Sequence, residues 1–171
     1  MLAPRSCNRD RRSMFPRMVY IAVSGPGDGP HASEDVLHAA RRVGELLAAE
    51  GAIVLCGGLD GAMAAVAEGV RDHGGVCVGL LPGDDRSGAC AALSLALATG
   101  LGQARNAVIT TAADAVIALG QGPGTLSEVG HALRGGRPVV TLLGWQVEGV
   151  READNPADAV RLALSLAADS V

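Results

Sequence analysis

From Met18 onward, short runs of Val, Ile, Leu and Ala alternate with longer stretches in which apolar residues return every three or four positions. A continuous apolar run of strand length fits a strand buried on both faces, and the 3.6-residue period fits a helix lying on the sheet. The pattern predicts strands at Met18 to Val23, Ala52 to Leu55, Val76 to Leu80, Leu93 to Leu97, Asp114 to Leu119 and Pro138 to Leu142. Leu93 to Leu97 is the ambiguous one, because Ala-rich runs also suit helices. Between the strands fall helices at Ser33 to Glu50, Gly61 to His73, Gln103 to Ala112 and Thr125 to Arg134. Val36, Leu37, Ala40, Val43 and Leu47 make the apolar stripe of the first, with Ser33 as its N-cap. Asn155-Pro156 opens a closing helix, Ala157 to Leu166, with proline in its first turn.

This alternation predicts an α/β fold: a three-layer, Rossmann-like, doubly wound and mainly parallel sheet covered on both faces. Residues 18–171 form a single domain, without internal repeat or linker. Only Phe15, Tyr20 and Trp145 are aromatic, so the core is built from Ala, Val, Leu and Ile. The 24 glycines cluster where strands end, which marks tight strand-to-helix corners.

The formal charge of −4 is unevenly spread. Residues 1–17 hold Arg5, Arg9, Arg11, Arg12 and Arg17 against one Asp, which leaves −8 on the rest of the chain. An acidic body lacks the basic footprint of a nucleic-acid binder. The basic stretch is expected to be a disordered extension, or an overlong start with Met14 or Met18 as the true beginning; it lacks the apolar run of a secretory signal. No run of about 18 apolar residues spans a membrane. Cys7, Cys56, Cys77 and Cys90 show no C-x-x-C spacing and suit buried thiols of a cytoplasmic protein. The four histidines suit solvated or helix-capping positions, and no third ligand joins His131 and Glu128 in a metal site.

Lysine is absent throughout. A Walker-type loop needs Gly-Lys-Ser/Thr, and pyridoxal-phosphate chemistry needs a lysine Schiff base, so both are excluded.

In an open parallel sheet, ligands bind beyond the carboxyl ends of the strands. Five glycine-bearing loops converge there: Ser24-Gly25-Pro26-Gly27, Cys56-Gly57-Gly58, Leu81-Pro82-Gly83, Thr99-Gly100-Leu101-Gly102 and Gly120-Gln121-Gly122. The first departs from the dinucleotide fingerprint, and no Asp or Glu ends the second strand to take a ribose, which argues against a bound NAD. The last opens a helix, so the amides of Gly122, Gly124 and Thr125 and the positive end of the helix dipole face any anion above them. The expected phosphate-binding set is Ser24, Gly25, Gly57, Gly58, Thr99, Gly100, Arg105, Asn106, Gly122, Gly124, Thr125 and Glu128. Arg105, in the first turn of its helix, either clamps a phosphate or stands solvated. Glu128 either meets the ligand or closes a capping box, Thr125-Leu126-Ser127-Glu128. Asp60-Gly61 is expected to make a turn and cap the following helix; otherwise its charge repels a phosphate or binds a sugar hydroxyl.

Taken together, Cys56-Gly57-Gly58-Leu59-Asp60-Gly61-Ala62-Met63, Gly102-Gln103-Ala104-Arg105-Asn106 and Gly122-Pro123-Gly124-Thr125-Leu126-Ser127-Glu128 resemble the superfamily that joins Lonely-guy phosphoribohydrolases with molybdenum cofactor carrier proteins. The carrier branch is the nearer, on Ala-Arg-Asn, Gly-Thr-Leu-Ser-Glu and Leu142-Leu143-Gly144-Trp145. The resemblance implies a binding or carrier protein for a phosphorylated nucleotide- or pterin-type ligand. It implies no required cofactor, with a molybdenum cofactor or a nucleotide as the candidate bound ligand. It also implies a homo-oligomer, dimer or tetramer. The alternative it implies is hydrolysis of the N-glycosidic bond of nucleoside 5′-monophosphates, with Glu128 and Arg105 as the catalytic pair. Two departures weigh against hydrolysis: Asn106 stands where hydrolases have lysine, and Gly120-Gln121-Gly122-Pro123-Gly124 replaces their Pro-Gly-Gly-x-Gly. Family members often carry the label lysine decarboxylase, which does not suit a chain without lysine.

Overall fold

The computed structural model describes residues 18–169; the basic stretch 1–17 lies outside the described residues. Seven strands form one sheet in the order β4-β3-β2-β1-β5-β6-β7. These are β1 (Tyr20–Ser24), β2 (Ile53–Cys56), β3 (Val76–Leu81), β4 (Leu95–Ala98), β5 (Ala115–Leu119), β6 (Val139–Leu142) and β7 (Arg151–Glu152). Every pairing is parallel, so the sheet is wholly and not just mainly parallel. The ambiguous Ala-rich run is a strand, β4, at the edge. The strand β7 has no counterpart in the predicted pattern, because two exposed charged residues carry no periodicity.

Five helices cover the two faces: α1 (Glu34–Ala49), α2 (Ala62–Asp72), α3 (Arg105–Ala112), α4 (Pro123–Arg134) and α5 (Pro156–Asp169). Consecutive strand residues point to opposite faces, and here both faces are buried. Ile21, Val23, Val54, Ile117 and Leu119 pack under α1, α2 and α5. Ala22, Leu55, Val116 and Ala118 pack with Ile109 of α3 and Val129 and Ala132 of α4. Cys56 and Cys77 sit on β2 and β3 as buried free thiols.

Helix α1 begins where Ser33 accepts the Val36 N–H, as its N-cap role requires. Helices α1 and α2 meet main chain to main chain. A Cβ on Gly44 would lie 2.3 Å from the Val66 carbonyl oxygen, and one on Gly69 would lie 2.2 Å from that of Arg41.

Candidate anion-binding site

Strands β2 to β4 run outward on one side of β1, and β5 to β7 on the other. The switch point between β1 and β5 opens a crevice at the strand ends. A cavity of about 290 Å³ occupies it. Its walls are the loop after β1 (Gly25–His31), Leu59 and Asp60 after β2, Arg105 and Asn106 at the start of α3, and the first turn of α4 (Gly122–Thr125).

The first turn of α4 is not the one the Thr-x-x-Glu spacing predicts. Pro123 takes the first helical position and Gly122 is the N-cap, with no side-chain cap bond. Proline's fixed φ suits that position, so the helix starts two residues before Thr125 and the capping-box reading fails. Pro123 has no N–H to offer, and the Leu126 N–H is taken by the Gly122 carbonyl at 3.0 Å. The Gly124 and Thr125 amides are left at the mouth without intrahelical acceptors, backed by the helix dipole. At the neighbouring α2, the first helical N–H, that of Ala62, donates to the Pro26 carbonyl at 2.9 Å.

Two buried polar atoms lack any partner beside this mouth. Thr125 is 1% exposed and its Oγ1 is unsatisfied; Arg105 is 5% exposed and its Nε is unsatisfied. Such atoms are costly to bury unmatched, at about 1–3 kcal/mol each. Arg105 is therefore no solvated surface residue. Its Nη1 donates to Asn106 Oδ1 at 2.7 Å, and Gly57 gives it room: a Cβ there would lie 2.7 and 2.8 Å from the guanidinium nitrogens. Asn106 Nδ2 donates to Ser127 Oγ at 3.2 Å, which donates to the Gly124 carbonyl at 2.7 Å. This relay fixes the start of α3 against the first turn of α4.

Glu128, the sixth residue of α4, faces inward and is 6% exposed. Its carboxylate accepts from Ser24 Oγ, at the end of β1. Burial pushes its carboxyl up to about 7, and the Ser24 hydrogen bond and the Arg105 charge pull it partly back.

Of the residues expected at the ligand, Gly25, Arg105, Asn106, Gly122, Gly124, Thr125 and Glu128 are brought together around the cavity. Ser24 and Gly57 stand behind that wall, holding Glu128 and making space for Arg105. Gly58 turns toward β3, against Gly79. Thr99 and Gly100 belong to the far edge of the sheet. Thr99 Oγ1 donates to the Leu81 carbonyl at 2.7 Å, and the Gly100 N–H donates to that of Gly83 at 2.8 Å. Asp60 does not cap α2, whose N-cap is Gly61 with no side-chain bond; it accepts the Asp28 N–H at 3.3 Å instead. His31, expected only as a solvated or capping residue, lines the cavity while remaining exposed. Its signal was its position in the glycine-rich loop after β1.

An open, parallel α/β domain with a cavity at its switch point, bordered by the N-terminus of α4, is the class these features define. The chain matches the family model described as the SLOG cluster4 family over residues 18–167, and it belongs to that family. It is 37% identical over 151 residues to an uncharacterized protein of Archaeoglobus fulgidus, covering 87% of this chain and 97% of that one. Among solved structures, it is similar to the molybdenum cofactor binding protein from the phototrophic bacterium Rippkaea orientalis. That match has a TM-score of 0.83 at 34% identity and covers 88% of this chain and 98% of that one. The molybdenum cofactor carrier protein from Chlamydomonas reinhardtii matches with a TM-score of 0.81 at 32% identity, covering 89% and 99%. No described helix is long and apolar enough to cross a membrane.

Proposed function

We propose that this protein binds and carries a phosphorylated nucleotide- or pterin-type ligand, as its relatives named for molybdenum cofactor do, without turning it over. The phosphate lies over the Gly120–Thr125 loop and the start of α4, where Gly124 and Thr125 supply amides and Arg105 supplies charge. The observation that carries this reading is the pair of unsatisfied buried atoms, Thr125 Oγ1 and Arg105 Nε, in one wall of the cavity. A hydroxyl and a guanidinium N–H left without acceptors are matched by the oxygens of a phosphate. The same donors fit the phosphate of a molybdenum cofactor carried as cargo. The protein acts in the cytoplasm as a homo-oligomer, dimer or tetramer, with a small phosphorylated molecule and not a nucleic acid or membrane as its partner.

The alternative, a phosphoribohydrolase using Glu128 and Arg105, has one observation in its favour. A carboxyl held near 7 suits proton transfer at neutral pH. Against it, that carboxylate is engaged by Ser24, and Asn106 spends its side chain bridging Arg105 to Ser127. Incubation with a panel of nucleoside 5′-monophosphates separates the two. A carrier gives thermal stabilisation by a phosphorylated ligand and no free base above background; release of base establishes the hydrolase.

A further inference from the structure

Two exposed carboxylates at the rim of the cavity have no task in phosphate binding. Asp28 and Asp60 come from the loops after β1 and β2, whereas the α4 mouth follows β5, on the other side of β1. The donors of the α4 mouth and these two acceptors therefore enter the cavity from opposite sides of β1, with the Glu128 carboxylate on the α4 side. Asp60 is seated by the first loop: Oδ1 accepts the Asp28 N–H, and a Cβ on Gly27 would press to 3.0 Å from that oxygen. Oδ2 has no protein donor among the described residues. Asp28 and Asp60 also border a second hollow of about 780 Å³ between α1 and α2, floored by Leu37, Ala64 and Ala65.

At about 290 Å³, the first cavity is at the small end for a ligand site, typically about 300–1,000 Å³. A phosphate ester anchored at α4 accordingly extends its body past Asp60 toward the second hollow. A carboxylate there offers acceptors only, and it repels any further phosphate.

We propose that Asp60 selects the ligand by accepting two adjacent hydrogen-bond donors on the body of a phosphate monoester. This rests on the phosphate-binding reading above. Both carboxylate oxygens take part, since Oδ1 keeps a lone pair after receiving Asp28. Two sources supply such a donor pair: the vicinal hydroxyls of a ribose, and the N–H and NH₂ edge of a 2-amino-4-oxo ring, which guanine and pterins share.

Isothermal titration of the wild type and Asp60→Asn with inorganic phosphate, GMP, IMP and 2′-deoxy-GMP tests this. The wild type is expected to bind GMP about tenfold or more tighter than one of the two analogues, the scale of a hydrogen bond to a charged group. Weak IMP binding identifies the ring edge, and weak 2′-deoxy-GMP binding identifies the ribose. Asp60→Asn erases that difference, keeps its affinity for inorganic phosphate, and melts at the wild-type temperature. If phosphate and GMP bind but the wild type treats all three nucleotides alike, or Asp60→Asn discriminates as the wild type does, the Asp60 inference is overturned and the phosphate site stands. If the wild type binds neither phosphate nor GMP, the phosphate reading falls and takes this one with it.

Discussion

Replacing Glu128 by Gln converts the buried carboxyl into a pH-dependent stability difference. In the unfolded chain the group ionises near 4.5, and in the folded protein near 7. As pH climbs through that interval, the unfolded chain gives up its proton while the folded chain keeps it, so the native state loses stability. At about 1.4 kcal/mol per pH unit, the rise from 4.5 to about 7 costs the wild type about 3 kcal/mol. The loss is complete above pH 7 and absent below 4.5. Gln keeps the size and an oxygen to accept from Ser24 but does not ionise, so the variant is spared. Urea unfolding of both proteins between pH 4.5 and 8 measures the gap. Stabilities that converge at the acid end, with Glu128→Gln ahead by about 3 kcal/mol at pH 8, are expected; a gap that stays constant across the range refutes burial as the cause. Because a phosphate beside Glu128 disfavours its ionised form, saturating phosphate should move the wild-type profile to higher pH.

Thr125→Val removes a hydroxyl that is buried without a partner, so the free protein should gain about 1 kcal/mol by chemical denaturation while its phosphate affinity drops; equal stability would mean the hydroxyl is satisfied in solution. Arg105→Ala should weaken phosphate binding about tenfold or more, as expected for a lost charge-assisted bond, and because the side chain is buried and anchors Asn106 it should also lower the melting temperature, so affinity is read well below it. Unaltered affinity in titration would remove Arg105 from the clamp. Gly44→Ala forces a methyl group onto the Val66 carbonyl and should cost about 1–3 kcal/mol, read as a lower urea midpoint; an unmoved midpoint would show that α1 and α2 part freely.

Period and run length revealed most of the architecture, because the strands β1, β2, β3, β5 and β6 are largely buried on both faces and the helices that cover them carry an apolar stripe. What they missed is set by contacts distant in the chain. The start of α4 was misplaced because Thr125 and Glu128 match a capping box by spacing, while Pro123 had already begun the helix; that two-residue shift is what turns Glu128 inward. The burial of Arg105 depends on Gly57, in the distant loop after β2, having no side chain. The loop at Thr99 and Gly100 looked equivalent to the others because sequence does not reveal that β4 is the edge, with β3 and β2 between it and β1. Asp60 and His31 joined the cavity through the path of the first loop, which periodicity does not describe.

The two glycine contacts between α1 and α2 bear on how a guest enters. Backbones touching at two points, with no flexible side chains as lubricant, resist sliding and behave as one plate. The Ala62 to Pro26 bond rivets the β1 loop to that plate. The opposite half is held differently, with α3 and α4 coupled side chain to side chain through the Arg105–Asn106–Ser127 relay. Under the proposed carrier role, that half is where a guest would be admitted and released.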